Sequence, residues 1–227
     1  MSNHKFFNFA FLMMLVLSSC SAQDRSSSDS NEYIEPNELS DAQKEQLESA
    51  VFAGGCFWCT EAVFERVEGV VKVVSGYSGG DESTADYSMV SSGKTDHAEA
   101  IEIFYDPDKI DYRTLVKAFL GGHDPTQLNR QGPDVGTQYR SAIFYRTEEE
   151  KKIAQEVISE FEEKGVYSDE IVTKLTPFDG FYLAEDYHQN YYRLNPNNSY
   201  IRSVSKPKVE KFMKNYPELL KEEYRKK

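Results

Sequence analysis

Hydrophobic and polar positions alternate between strand-like and helix-like spacing along the middle of this chain. Strand patterns cover residues 51–53, 70–74, 98–105 and 141–146, and helical patterns cover residues 57–67 and 112–120. The resulting order is β-α-β-β-α-β. It predicts an α+β fold, namely a ferredoxin-like (split βαβ) two-layer sandwich with extended C-terminal loops and helices.

Turn and capping residues predict how these elements end and what surrounds them. We expect the run from Gly76 to Gly80 to break the second strand, and Asp111 to cap the helix over 112–120. Outside the core, we predict helices over 41–49 and 148–164, a strand over 171–175 and polar loops over 81–95 and 123–139. Long polar loops in a compact domain often carry function.

The first twenty residues have the pattern of an export signal. Lys5 precedes an apolar run over 6–17, which is shorter than the roughly 20 residues that a bilayer span needs. The run ends in LSSC, which resembles the lipobox of bacterial lipoproteins and predicts lipidation of Cys20; ordinary signal cleavage, for instance after Ala22, is the alternative. We therefore expect an exported, membrane-anchored lipoprotein of the bacterial cell envelope, on the periplasmic side.

These patterns divide the chain into four predicted parts. The parts are a lipoprotein signal peptide over 1–19, the lipidated cysteine with a polar tether over 20–48, a catalytic domain over 49–204 and a basic helical tail over 205–227. From Lys206 onward the tail has eight Lys and Arg residues against four Glu. We expect its helix to pack one face on the domain and to leave the other in water.

Composition narrows the classes of function. The 227 residues carry a formal net charge of −12, which argues against general nucleic-acid binding because that requires a basic face. The chain has three cysteines, and lipidation of Cys20 leaves Cys56 and Cys59 for any internal disulfide. An exported compartment permits such a bond.

The run GGCFWC at residues 54–59 carries the candidate chemistry. Cys56 follows a strand and begins a helix, where free backbone N–H groups and the helix dipole favour a thiolate. The C-x-x-C spacing is shared by redox and zinc sites, and a cysteine in an apolar run is often a small buried hydrophobe. Zinc needs about four ligands, and His97, His123 and His188 each stand alone, so the pattern favours redox chemistry.

A carboxyl group and three further polar groups can complete such a site. Alternation in the third strand places Glu99 on the same face as Ile101, where apolar surroundings favour the neutral acid, a proton donor. The alternative is a strand-end glutamate turned toward water. Tyr87, Asp134 and Tyr139 lie in the two polar segments, and phenol hydroxyls donate well to a developing oxyanion.

Seven motifs together resemble those of one enzyme family. They are Gly55-Cys56-Phe57-Trp58, Ser75-Gly76-Tyr77-Ser78-Gly79-Gly80, His97-Ala98-Glu99-Ala100, His123-Asp124-Pro125, Asn129-Arg130-Gln131-Gly132, Gly136-Thr137-Gln138-Tyr139-Arg140-Ser141 and Ala184-Glu185-Asp186-Tyr187-His188-Gln189. The set covers about residues 50 to 200 and is similar to peptide methionine sulfoxide reductases of the A type. Each motif alone is weak, but the combination is highly specific.

The resemblance implies repair of oxidised methionine. It implies the S-epimer of methionine sulfoxide as substrate, free or in proteins, with thioredoxin or another dithiol as reductant and with no bound cofactor or metal. By match to the family's motifs, Cys56 is the nucleophile that becomes a sulfenic acid, and Glu99 is the proton donor. Tyr87, Asp134 and Tyr139 assist at the sulfoxide oxygen, and Phe57 and Trp58 receive the S-methyl group.

Two features depart from the family's usual pattern. Many members have resolving cysteines near the C-terminus, whereas this chain has none there. Cys59 is therefore the internal candidate, and direct reduction of the sulfenic acid by an external thiol is the alternative. Asp96 stands before the His-Ala-Glu motif where the family usually has glycine, and this leaves Glu99 in register.

Two other functions explain parts of the pattern. A thioredoxin-like disulfide exchanger also uses C-x-x-C at a helix start, but it gives no role to Glu99 or to the 123–139 loop. A surface lipoprotein with a structural disulfide explains the export signal but not the motifs.

The expected partners are oxidised proteins or peptides, free methionine sulfoxide, a thioredoxin-like reductant and, through the lipid, the membrane. We expect no nucleic-acid partner and a monomer, although the sequence does not fix the oligomeric state.

Overall fold

The computed structural model describes Met1, residues 39–40, Gln43 and residues 45–225. Within these residues the chain forms a mixed β-sheet with helices packed on it, an α+β fold. The predicted signal peptide, Cys20 and most of the predicted tether lie outside the described residues. No helix in the described part is long and apolar enough to cross a bilayer.

The strands and helices follow one another along the described chain. The strands are β1 (Glu48–Gly54), β2 (Val70–Ser78), β3 (Ala98–Tyr105), β4 (Arg130–Gln131), β5 (Asp134–Val135), β6 (Ser141–Tyr145), β7 (Lys174–Pro177) and β8 (Phe181–Leu183). The α-helices are α1 (Phe57–Phe64), α2 (Tyr87–Ser91), α3 (Tyr112–Gly122), α4 (Glu148–Glu163), α5 (Tyr191–Leu194) and α6 (Lys206–Asn215). A π-helical turn, Ile201–Ser205, leads directly into α6.

Strand pairing places β1 and β3 in the middle of the sheet. The order is β7-β6-β1-β3-β2-β8, in which only the β6–β7 pairing is parallel among the described strands. β4 and β5 form a separate short hairpin. The central position of β1 and β3 matters because the candidate cysteines follow β1 and Glu99 lies on β3.

The two faces of the sheet bury different amounts of apolar surface. Phe52 and Ile101 project to the face that α1 and α3 cover, and they belong to the main core. Val51 and Ala100 project to the other face, where a smaller cluster packs under Phe178 and Phe181 outside the core strands. This alternation follows from the period of two along a strand.

The C-terminal helix α6 completes the helical layer. Val209 and Phe212 on one side of it are buried in the main core, whereas Lys206 and Lys211 are exposed. This is the one-sided packing expected for the basic tail. It brings α6 against α1, so that the end of the chain contributes to the surroundings of the two cysteines.

Several predicted boundaries are wrong, and contacts between distant segments explain why. β2 continues through Gly76 and ends at Ser78, inside the predicted break over 76–80. A Cβ at Gly76 would lie 2.3 Å from the Phe181 ring, so glycine is what lets β8 pair alongside. The predicted helix over 41–49 does not reach its expected end, since β1 begins at Glu48 and pairs with Tyr105.

The later elements also differ from the sequence pattern. The predicted strand over 171–175 forms instead at Lys174–Pro177, where it pairs with β6. The two polar segments contain α2 and the β4–β5 hairpin, which the polar composition did not predict. Both short elements hold residues of the candidate site.

Candidate active site

Cys56 lies where the central strand β1 turns into helix α1. Gly55 has φ +92°, a conformation that other residues adopt only with strain, and a Cβ there would lie 2.5 Å from the Gln131 side chain. Cys56 is the N-cap residue of α1 and is buried. The glycine turn therefore fixes the thiol at the helix start, as the sequence predicts.

The Glu99 carboxyl group lies beside this turn. It is only 2% exposed, and its Oε2 accepts a hydrogen bond from the backbone N–H of Phe57 at 3.1 Å. Glu99 is therefore buried on the helix side with Ile101, as predicted, and is not turned toward water. Burial raises its pKa to about 8, against the smaller opposing effect of the Phe57 N–H. The carboxyl group is mostly protonated at pH 7.

The two cysteines form a buried, reduced pair. Burial chiefly raises the pKa of the Cys56 thiol, and a hydrogen bond to Cys59 and the charges of Cys59 and Glu99 add to this. The sequence-based expectation of a Cys56 thiolate is thus wrong for the resting site, because desolvation outweighs the helix N-terminus. The hydrogen bond from Cys56 lowers the pKa of Cys59 to about 7. Within the pair, Cys59 is therefore the more acidic thiol.

Tyr87, Asp134 and Tyr139 come together around Glu99, as the sequence-based set requires. Burial raises the pKa of both phenols, and the charges of Glu99 and Cys56 add to this, so both hydroxyls remain neutral donors. Asp134 influences both Glu99 and Cys59 electrostatically. The structure thus assembles all five predicted catalytic residues at one place, from α1, β3, α2, β5 and the 3₁₀ turn Thr137–Tyr139.

Phe57 and Trp58 form an aromatic group next to Cys56. Phe57 is fully buried, whereas Trp58 is partly exposed. The Trp58 indole stacks on Tyr191 with 3.8 Å between ring centroids and donates its Nε1–H to His188 Nδ1 at 3.2 Å. Tyr200 meets it edge-on at 5.8 Å. These neighbours hold the indole in one orientation.

Several residues of this site were not predicted as functional. The Tyr200 hydroxyl donates a short hydrogen bond to Asp134, and His188 and Tyr191 orient Trp58. His188 belongs to a motif noted in the sequence, but the pattern gave it no role. Tyr191 and Tyr200 carried no local signal among fifteen tyrosines.

A second buried carboxyl group supports the same segment. Glu61 lies one turn after Phe57 on α1, and its Oε1 accepts the N–H of Asn190 at 3.1 Å. The neighbouring Gln189 exchanges hydrogen bonds with both backbone groups of Ser75, at 3.0 and 2.9 Å. Burial chiefly raises the pKa of Glu61, which favours its neutral form. The contacts of Gln189 and Asn190 fix the backbone between His188 and Tyr191.

The histidines considered as metal ligands have other partners. His123 contacts the Phe119 carbonyl oxygen through Nδ1 and Ser141 Oγ through Nε2, both at 2.7 Å. His97 Nε2 lies 3.0 Å from the Asp81 carbonyl oxygen. Within the described ranges, no group of three or more His, Cys, Asp or Glu side chains is arranged to hold a metal ion.

Known proteins are similar to this chain in sequence. The family model for peptide methionine sulfoxide reductase matches residues 48–220. Peptide methionine sulfoxide reductase MsrA 2 of Synechocystis sp. is 54% identical over 175 residues, which are 77% of this chain and 82% of that protein. Its counterpart MsrA from Deinococcus radiodurans is 51% identical over 174 residues, 77% of this chain and 84% of that protein.

Solved structures give the same result. Mxr1 from Saccharomyces cerevisiae in reduced form is similar with a TM-score of 0.63 and 36% identity, over 68% of this chain and 88% of that one. Methionine sulfoxide reductase A of Corynebacterium diphtheriae has a TM-score of 0.60 and 33% identity, over 67% and 77% of the two chains. The chain therefore belongs to the peptide methionine sulfoxide reductase family, in its MsrA branch, and is an oxidoreductase of methionine sulfoxide repair.

Proposed function

We propose that this protein reduces the S-epimer of methionine sulfoxide, free or in proteins, through a sulfenic acid on Cys56. The observation that carries the proposal is the neutral Glu99 carboxyl, anchored on the N–H of the residue next to Cys56. A sulfoxide sulfur accepts a thiol nucleophile only when its oxygen is protonated or strongly hydrogen-bonded. The site places an acid, Glu99, beside a nucleophile, Cys56, so that the oxygen can be protonated while the sulfur is attacked.

The chemical step uses the groups in a defined order. Glu99 donates its proton to the sulfoxide oxygen while the Cys56 sulfur attacks the sulfoxide sulfur, and the carboxylate then takes up the proton that the thiol loses. The oxygen then moves from the substrate sulfur to the Cys56 sulfur: the substrate's sulfur–oxygen bond and the transient sulfur–sulfur bond break as the new sulfur–oxygen bond on Cys56 forms. Thiol plus sulfoxide thereby become sulfenic acid plus thioether. Tyr87 and Tyr139 donate to the same oxygen, and one well-placed donor contributes about 3 kcal/mol in such transition states.

Selection of one epimer follows from three fixed contacts. The sulfoxide sulfur carries an oxygen, a methyl group, a methylene group and a lone pair. Glu99 and the two phenols hold the oxygen, the aromatic group of Phe57 and Trp58 receives the methyl, and Cys56 defines the direction of attack. The mirror-image sulfoxide cannot satisfy all three contacts together.

We propose that Cys59 resolves the sulfenic acid and that a thioredoxin-type dithiol then reduces the disulfide. The support is the short sequence separation of the two buried sulfurs and their hydrogen bond. Disulfide geometry is demanding, so the first turn of α1 has to rearrange for the bond to form.

The comparison of the two epimers tests the reaction. We expect methionine to form from the S-epimer of N-acetylmethionine sulfoxide in the presence of dithiothreitol, and at least about a hundredfold more slowly from the R-epimer. The product is measured by chromatography. Equal rates for the two epimers would overturn the three-contact proposal, and turnover of neither epimer by the folded protein would favour the disulfide-exchange function.

We further propose that the four central strands form the ferredoxin-like split βαβ core expected from the sequence. Support comes from the order β6-β1-β3-β2 with antiparallel pairing throughout, and from the crossover helices α1 and α3. β7 and β8 then extend this core at its two edges.

We propose that the enzyme works at the cell envelope, anchored through a lipid on Cys20. The support is the apolar run and the lipobox-like LSSC sequence, both outside the described residues. In the native host we expect the wild-type protein in the membrane fraction, and Cys20→Ala in the soluble fraction or retained with an uncleaved signal. Identical partitioning and identical mass of the N-terminal peptide in the two proteins would overturn the anchor.

A further inference from the structure

Lys208 places a positive charge near the cysteines without a visible counter-charge. Its Nζ is buried and has no hydrogen-bond partner within the described part of the chain. A buried ammonium without a partner is costly, because it loses its hydration and gains nothing in return. Buried charges in proteins are paired with an opposite charge or bind a metal ion.

Cys59 is the group that can supply the opposite charge. Its Sγ lies 3.1 Å from Ser205 Oγ, and the charge of Lys208 acts on it to favour the thiolate. Ser205 is fully buried at the junction of the π-helical turn and α6, and Lys208 follows three residues later. The junction therefore supplies a hydroxyl in contact with this sulfur and a positive charge that acts on it.

Other charged and titratable groups also face this sulfur. Cys56 donates a hydrogen bond that favours the Cys59 thiolate, whereas Asp134 opposes it. The charge of Cys59 in turn acts on Glu99, Tyr192 and Tyr200. Among the described groups around Cys59, Lys208 is the cation that acts on it most strongly.

We propose that Lys208 and Ser205 are positioning residues that hold Cys59 as a thiolate and thereby make it the resolving nucleophile. The inference rests on the proposed function, since it assigns these residues to the second half of that reaction. The Cys59 sulfur attacks the sulfur of the Cys56 sulfenic acid, the sulfur–sulfur bond forms, and the sulfur–oxygen bond breaks. The departing oxygen takes one proton from the Glu99 carboxyl and leaves as water.

The arrangement explains how a buried thiol can react quickly at neutral pH. The pKa of Cys59 is lowered to about 7, although burial alone would raise it. When Cys56 is oxidised, the Cys56 thiol no longer donates its hydrogen bond. Lys208 and Ser205 then become the remaining groups that stabilise the Cys59 thiolate at the moment when it has to attack.

A direct measurement of the Cys59 thiol tests the proposal independently of catalysis. In a Cys20→Ser, Cys56→Ser background, Cys59 is the only thiol of the chain. We expect Lys208→Met to raise the pKa of this thiol from about 7 by about one unit, which lowers the thiolate fraction and slows iodoacetamide alkylation at pH 7 roughly fivefold. Lys208→Arg should restore most of the rate. Lys211→Met, an exposed lysine on the same helix, should have no effect.

A kinetic measurement then locates the effect within the reaction. With Cys56 present and without reductant, Lys208→Met should still form one methionine per chain at the wild-type rate. It should form the disulfide about fivefold more slowly at pH 7. Disulfide formation is measured by quenched-flow alkylation and mass analysis. An unchanged thiol pKa in Lys208→Met would overturn the inference. Loss of methionine formation in the wild type would instead overturn the proposed function, and the alkylation result would still stand.

Discussion

Replacing Cys56 with serine abolishes methionine formation from methionine sulfoxide, with a loss of about three orders of magnitude or more in kcat. The reason is chemical, because a serine oxygen cannot accept the sulfoxide oxygen and supply the two electrons that reduce the sulfoxide. The substitution keeps the size of the side chain in its buried position at the start of α1. The loss is measured with dithiothreitol as reductant, so that a failure to resolve the intermediate cannot cause it.

Cys59→Ser is the matched control, since it removes the other sulfur of the same pair. We expect this variant to release one methionine per chain without reductant, as the wild type does, and to turn over with dithiothreitol. Its turnover with thioredoxin should fall at least about tenfold, because a sulfenic acid lacks the disulfide that thioredoxin attacks. Full thioredoxin-driven turnover of Cys59→Ser would show that Cys59 does not resolve the intermediate.

Local sequence pattern is sufficient to predict the centre of the site. Gly55 and Cys56 between a strand and a helix give the position of the nucleophile, and the period of two in β3 gives the buried orientation of Glu99. Both predictions depend on neighbours within a few residues. The two predictions can therefore be made without knowledge of the rest of the fold.

Contacts between distant segments could not be predicted in this way. Trp58 and His188 are 130 residues apart, and Cys59 and Ser205 are 146 apart. The hydroxyls of tyrosine and serine are common, so composition does not single out the ones that meet. Only the packing of α6 and of the 184–200 segment against α1 brings them to the cysteines.

The charge state of the cysteines shows a different limit of local reasoning. The start of a helix favours an anion by a modest amount, whereas removal of a thiolate from water opposes it more strongly. The first effect can be read from the position of Cys56 in the sequence. The second depends on burial, which comes from residues throughout the chain. The sum therefore reverses the expectation for Cys56 and makes Cys59 the more acidic thiol of the pair.

Replacing Glu99 with glutamine lowers kcat about a hundredfold to a thousandfold and changes the pH profile. Glutamine keeps the shape of the neutral acid and still hydrogen-bonds the sulfoxide oxygen, but it cannot give that oxygen a proton. In the wild type the acid form of Glu99 is populated below its pKa of about 8. Activity should thus fall as the pH rises through 8, and this limb should be absent in Glu99→Gln.

Glu102→Gln is the matched control on the same strand. Glu102 accepts hydrogen bonds from Ser49 and Arg146, at 3.1 and 2.9 Å, on the opposite face of the sheet from Glu99. We expect its kcat and pH profile to equal those of the wild type. An alkaline limb that persists in Glu99→Gln would assign the titration to another group, and wild-type kcat in that variant would remove Glu99 from the acid role.

Protein stability gives a second measurement that does not depend on turnover. The unfolded chain releases the Glu99 proton near the ordinary glutamate pKa of about 4.3, whereas the folded protein keeps it until about pH 8. Between these values the folded state binds more protons, so the contribution of Glu99 to the free energy of unfolding falls as the pH rises. Glu99→Gln removes this dependence. Urea denaturation at pH 5 and pH 8 should therefore show that the variant gains stability relative to the wild type at the higher pH. The same result would identify the buried carboxyl as neutral in the folded enzyme, which is the condition for its role as a proton donor.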